Sequence, residues 1–121
     1  MARFRLSRLA EADLLHILRT SAERWGAEGA RRYASLLAEA MRKVATDPQG
    51  PTTRARNDLH PGVRSVHIRH ARGANPDANV RRPAHILYYR AVASDLVEIF
   101  RVLHERMEPS RHLGAIFDDS D

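Results

Sequence analysis

The chain has no cysteine, which excludes disulfide staples and thiolate-held metal and suits a reducing compartment. It has no apolar run long enough to cross a bilayer, and its first residues lack the apolar stretch of a secretory signal. A cytoplasmic protein is therefore expected. Lysine is nearly absent: Lys43 is the only one, so almost all the positive charge is arginine. Codon usage in a GC-rich genome is the simpler cause of that bias. Its chemical consequence is a surface suited to planar, bidentate contact with carboxylates or phosphates. A formal charge of +5 and a pI near 10.6 predict attraction to an acidic partner, either nucleic acid or an acidic peptide. At 121 residues the chain reads as one domain spanning 1–121, with an acidic, frayed tail over 118–121.

The last third carries the strongest pattern. His85-Ile-Leu-Tyr-Tyr-Arg-Ala91 and Leu96-Val-Glu-Ile-Phe-Arg-Val-Leu-His104 are rich in β-branched and aromatic residues and flank the break Val92-Ala-Ser-Asp95. This predicts an antiparallel hairpin with a four- or five-residue connection. The second run is apolar at nearly every position from Leu96 to Leu103, so both of its faces should be covered. It ends at the charged cluster His104-Glu-Arg-Met-Glu108 and Pro109.

Two helical stripes precede the hairpin. Phe4-Arg-Leu6 opens as a strand and Ser7 is placed to cap a helix. Ala10, Leu14, Ile17, Leu18, Ser21 and Trp25 share one side of that helix, and Gly26 is placed to end it. After Ala27-Glu-Gly29 a second stripe runs Ala30, Tyr33, Leu36, Leu37, Ala40, Val44 and stops at Asp47-Pro48. The pair reads as an αα-hairpin whose apolar side packs on the C-terminal sheet. Residues 49–62 read as a loop, Val63 to His70 as a strand with one polar face, and residues 71–83 as a long connector without periodicity. The expected class is α+β, with an N-terminal strand, then the αα-hairpin packed on a twisted antiparallel sheet, in the order β-α-α-β-β-β.

That order resembles the ParE/RelE toxin superfamily of bacterial toxin–antitoxin modules, its ParE branch above all. The residues carrying the resemblance are Leu6-Ser7, Ala12-Asp13-Leu14, Ile17, Gly26, Ala30, Leu37 and Pro48. They continue through Pro61-Gly62-Val63-Arg64-Ser65, Ile86-Leu-Tyr-Tyr-Arg90, Ile99-Phe-Arg-Val-Leu-His104-Glu-Arg-Met107 and Arg111-His112-Leu113. No single motif is decisive, but their order across residues 4–113 is specific. The connector before the Tyr-Arg strand is longer than such chains usually have. The resemblance implies a toxin that poisons DNA gyrase, has no catalytic activity and is neutralised by a ParD-like antitoxin. That partner would have a ribbon–helix–helix DNA-binding end and an acidic amphipathic segment, with DNA reached only through it.

The antitoxin is expected on the helical hairpin and the adjoining sheet, at Leu18, Trp25, Tyr33, Leu37, Met41 and Arg64. Charged groups around the end of the last strand, Arg90, Arg101, His104 and Arg106, are expected to serve toxicity rather than folding. The competing class is a RelE-type, ribosome-dependent mRNA endoribonuclease. It needs an arginine, a base and an acid close together. Simple alternation argues against that, placing His104 with Phe100 and Val102, and Arg101 with Ile99 and Leu103 on the other face. His67-Ile-Arg-His70 invites a metal, but two such residues on a strand face opposite ways; no metal or cofactor is expected.

Overall fold

A computed structural model describes residues 2–73 and 75–113; the acidic tail expected over 118–121 lies outside the described residues. The elements run β1 (Arg3–Leu6), α1 (Arg8–Thr46), β2 (Arg54–Ala55), β3 (Arg64–His67), β4 (His85–Ala93) and β5 (Leu96–His104). The five strands form one sheet in the order β1-β5-β4-β3-β2. The α+β class and the hairpin are as the sequence predicts. The sheet, however, is mixed: β1 pairs with β5 in parallel, and the remaining pairs are antiparallel.

The two helical stripes belong to α1, whose hydrogen-bonded run is broken at Gly26 (φ 80°, ψ 178°). A straight helix of 39 residues would run roughly 58 Å, whereas a globule of this length has a radius of gyration of only about 14 Å. The break lets both arms lie on one sheet, and Ile17 of the first arm shares a buried cluster with Tyr33, Leu37 and Val44 of the second. The link is one residue, not the Ala27-Glu-Gly29 spacer the sequence suggested, because Gly26 alone can take this backbone conformation. Gly29 is already helical, and a Cβ there would lie 2.5 Å from the Trp25 Cβ. Its missing side chain is what lets the arms close. Nothing lies within 4 Å of a Cβ built on Gly26, so Gly26→Ala meets only backbone strain. The expected loss is about 1–3 kcal/mol, read as a lower urea midpoint with an unchanged slope; an unchanged midpoint would mean that the break does not need glycine.

Each face of the sheet is buried. Toward α1 lie Leu87 and Tyr89 of β4 with Val97, Ile99 and Val102 of β5. On the far face Val63, Tyr88, Phe100, Leu103 and Leu113 form a second cluster, with Leu59 and Ile86 against it. The expectation that both faces of the last strand are covered is met by these two clusters. The alternation assumed for that strand is not. Tyr88 pairs with Arg101 and Tyr89 with Ile99, so Phe100 is an extra residue in a β-bulge. After it the faces exchange: Val102 joins Ile99 on the helix side, and Leu103 joins Phe100 on the far side.

Other differences are local. The β4–β5 turn spans only residues 94–95, because β4 runs on to Ala93 past a second irregularity. The strand expected over Val63–His70 stops at His67 and continues as a 3-10 turn, Ile68–Ala71, which buries Ile68. Its supposedly polar face includes Ser65, which is buried. The connector over 71–83 is partly packed: Pro76–Ala78 forms a 3-10 turn, Ala78 is buried and Val80 rests on the core.

Candidate functional site

β1 covers β5 only as far as Ile99, so the outer edge of β5 beyond it has lost its strand partner. Two side chains from α1 and its cap replace that strand. The Ser7 hydroxyl accepts from the Ala10 N–H at 3.1 Å, capping the helix, and donates to the Phe100 carbonyl at 2.7 Å. Six residues after Ser7 the Asp13 carboxylate accepts the Val102 N–H at 2.9 Å and both Nε and a terminal nitrogen of Arg101 at 2.8 Å. Arg101 also donates to the His112 carbonyl at 3.2 Å, and its pairing with Asp13 pushes the guanidinium pKa further up. Both ends of this fork are mostly buried, at 16% and 14% exposure.

This geometry separates the residues of the expected toxicity cluster. Arg101 is a structural tie between β5, α1 and the C-terminal turn. Arg90 lies on the far face, its guanidinium 5.4 Å from the Phe100 ring centre and its stem against Gly62. It pairs in register with Glu98, five residues along β4 from the His85–His104 pair, or roughly 17 Å. Arg106 is exposed in the turn after β5, where its backbone N–H donates to His104 Nδ1 at 3.1 Å. The four residues therefore occupy separate surroundings instead of one patch.

The expected antitoxin contacts divide in the same way. Tyr33, Leu37 and Met41 are at most 4% exposed, because the chain's own sheet covers the face of α1 that carries them. Leu37 and Met41 leave no surface there for a partner. Leu18 is half-buried at the margin of the core, and Trp25 stands 55% exposed at the break. Arg64 donates to the Thr53 hydroxyl at 2.9 Å, while its Nε is buried without a partner among the described residues. Leu15, 67% exposed, was not expected at a site; it precedes Leu18 and Trp25 by three and ten residues, which puts all three on one flank of the first arm.

The structure does bring polar groups together where α1 meets the open end of the β4–β5 hairpin. The Tyr33 hydroxyl, buried and receiving the Ala84 N–H at 3.0 Å, satisfies its proton by donating to His85 Nδ1 at 2.6 Å. The His104 ring stands edge-on to His85, 5.4 Å between centres. Burial first, then the neighbouring His104, pull the His85 pKa down to about 4, so the ring is neutral at pH 7. With Nδ1 accepting in both rings, the proton of each sits on Nε2. A cleft of about 250 Å³ opens here, with His16, Arg24, Arg82 and Met107 also on its walls. Of this group Tyr33 and His104 were expected as site residues from the sequence, but at two different sites. His67 and His70 do not share a strand: His67 ends β3 and bonds Glu105 at 2.7 Å, while His70 lies in the 3-10 turn. Among the described residues no cluster of three or more His, Asp or Glu is able to hold a metal.

A long helix folded back on a five-stranded sheet, with β1 parallel to the terminal strand, defines a RelE/ParE-like toxin fold. A solved structure titled "Chromosomal ParDE TA system from P. aeruginosa" superposes with a TM-score of 0.59 over 86% of this chain and 95% of that one, at 22% identity. The family described as "ParE toxin of type II toxin-antitoxin system, parDE" matches residues 4–109. Toxin ParE1 of Caulobacter vibrioides is 34% identical over 121 residues, covering 94% of this chain and all of that protein. Toxin ParE1 of Mycobacterium tuberculosis is 30% identical over 112 residues, covering 93% and 98%. The chain belongs to the ParE toxin family of type II toxin–antitoxin systems. That family is not a known enzyme family, and no helix among the described residues is long and apolar enough to cross a membrane.

Proposed function

We propose that this chain arrests growth by binding DNA gyrase, without catalysing a reaction, and is held inactive in the cytoplasm by a ParD-like antitoxin. The observation that carries the reading is the match to ParE toxins over nearly the whole chain. The antitoxin's acidic amphipathic segment lies along the exposed flank Leu15, Leu18 and Trp25, its carboxylates near the surrounding arginines; its other end contacts DNA. Of the residues expected at the target, Arg106 and Arg90 remain surface groups for gyrase, with His104 at the cleft mouth.

One observation favours an mRNA endoribonuclease instead: His85 and His104 stand together beside Arg24 and Arg82. Their protonation argues the other way. A ring whose Nδ1 is already accepting, and whose Nε2 carries the proton, has no lone pair with which to take a ribose 2′-OH proton. Arg101, which would neutralise the phosphate, is spent on Asp13. Purified protein is expected to abolish supercoiling by gyrase and to leave mRNA on programmed ribosomes intact. Ribosome-dependent cleavage that disappears with His104→Ala, alongside normal supercoiling, would overturn the gyrase reading.

A further inference from the structure

Trp25 is the only tryptophan of the chain, and it is not used in the core. Its ring is half exposed, with the Arg24 guanidinium 5.2 Å from the ring centre and the Tyr33 ring 6.3 Å away on the protein side. A cavity of about 490 Å³ opens beside it, with Arg32, Arg81 and Arg82 and the amide of Asn79 on its walls. That volume lies in the range of small-ligand sites, roughly 300–1,000 Å³. Trp25, Tyr33 and Arg82 also border the histidine cleft, so the two spaces adjoin.

The chemistry of the walls is one-sided. No carboxylate lines either space among the described residues. The polar groups include guanidinium donors, the imidazole Nε2–H donors of His85 and His104 and one amide able both to donate and accept, beside the His16 ring and the Thr20 and Ser21 hydroxyls. The apolar lining joins the Trp25 and Tyr33 rings to the aliphatic side chains of Ile17, Val80 and Met107. A ligand matching this has a flat, hydrogen-bonding ring and an anion a few ångströms away.

We infer that these two adjoining spaces form a nucleotide site, with the base stacked on Trp25 and read by Asn79, and the phosphate held by Arg82 and the two imidazole Nε2–H groups. The ligand is a free nucleotide or one unit of a single strand, which share this chemistry. An acidic peptide is the less suited occupant: a carboxylate calls for one guanidinium fork, and this space offers several around an aromatic shelf. Binding here involves no bond cleavage and goes beyond the toxin reading, although Trp25 also borders the flank proposed for the antitoxin and His104 the surface proposed for gyrase.

The test uses the sole tryptophan as its own probe. The full chain is titrated, at fixed ionic strength, with AMP, with hexathymidylate and hexauridylate, and separately with adenosine, inorganic phosphate and hexaglutamate. Nucleotides are expected to quench Trp25 fluorescence saturably and to bind at least roughly tenfold tighter than adenosine or phosphate alone. Tighter binding of AMP identifies the free nucleotide and tighter binding of the oligomers the strand; either supports the site. Arg82→Ala, an exposed residue, is expected to weaken nucleotide binding roughly tenfold with unchanged melting. Trp25→Leu, followed by calorimetry, is expected to leave no preference for AMP over phosphate. Equal binding of AMP and phosphate by the parent chain, undiminished binding by Arg82→Ala, or hexaglutamate binding as tightly as any nucleotide would each overturn the proposal.

Discussion

Replacing Asp13 with alanine is expected to cost the fold about 2–4 kcal/mol and lower the melting temperature by on the order of 10 °C. The size follows from what is left behind. Three donors lose their acceptor at once, namely the two nitrogens of the Arg101 fork and the Val102 N–H at the uncovered edge of β5. Arg101, only 16% exposed, then keeps its charge in a site made for a pair. Asp13→Asn retains an acceptor for Val102 and should lose less. Pairing Asp13→Ala with Arg101→Leu should recover part of the loss, because the stranded charge is gone as well. Thermal melts of the four proteins decide it: an alanine variant that melts within a degree or two of the parent would mean the fork is ornamental. The same result bears on toxicity. A growth-arrest defect in an Arg101 variant reports folding before it reports a target contact.

Leu37→Asp is expected to leave no folded protein at 25 °C. Leu37 is 2% exposed in the cluster that joins both arms of α1 to Leu87, Tyr89 and Ile99. Removing an equivalent buried leucine costs roughly 2–5 kcal/mol even without adding charge, and a carboxylate there has no partner. For a chain whose stability is expected in the usual range of about 5–15 kcal/mol, the combined loss approaches the whole. Circular dichroism and one-dimensional proton spectra check this directly. A dispersed, native-like spectrum would show that Leu37 faces a space able to admit water or a partner. Leu15→Asp, on the exposed flank, is the matching control and should fold normally.

Local pattern made most of the elements legible. Ser7 caps its helix, the β-branched runs around Tyr88 and Phe100 are strands, and Gly26 marks the turn between the helical stripes. What escaped is whatever depends on a distant partner. The bulge at Phe100 is set by pairing with β4, and no composition signal announces it; it alone reverses the faces of everything from Arg101 onward. Asp13 stood within a motif on α1, but its partner is 88 residues away. Likewise, a stripe such as Tyr33, Leu37 and Met41 reads the same whether it meets a partner or the chain's own sheet. The Trp25 cavity could not be read at all, since its walls come from the end of one arm, the start of the next and the connector that looked structureless.

The two borders of the sheet are short in a way that bears on solubility. On one side β2 contributes two residues, both exposed, one of them Arg54. On the other, β1 ends after four residues and the bare stretch of β5 is closed by a hydroxyl and a carboxylate from α1. Among the described residues each border is therefore only two to four residues long, which leaves little on which a second molecule could template another strand. A protein built this way presents little open edge for strand-by-strand association as its concentration rises.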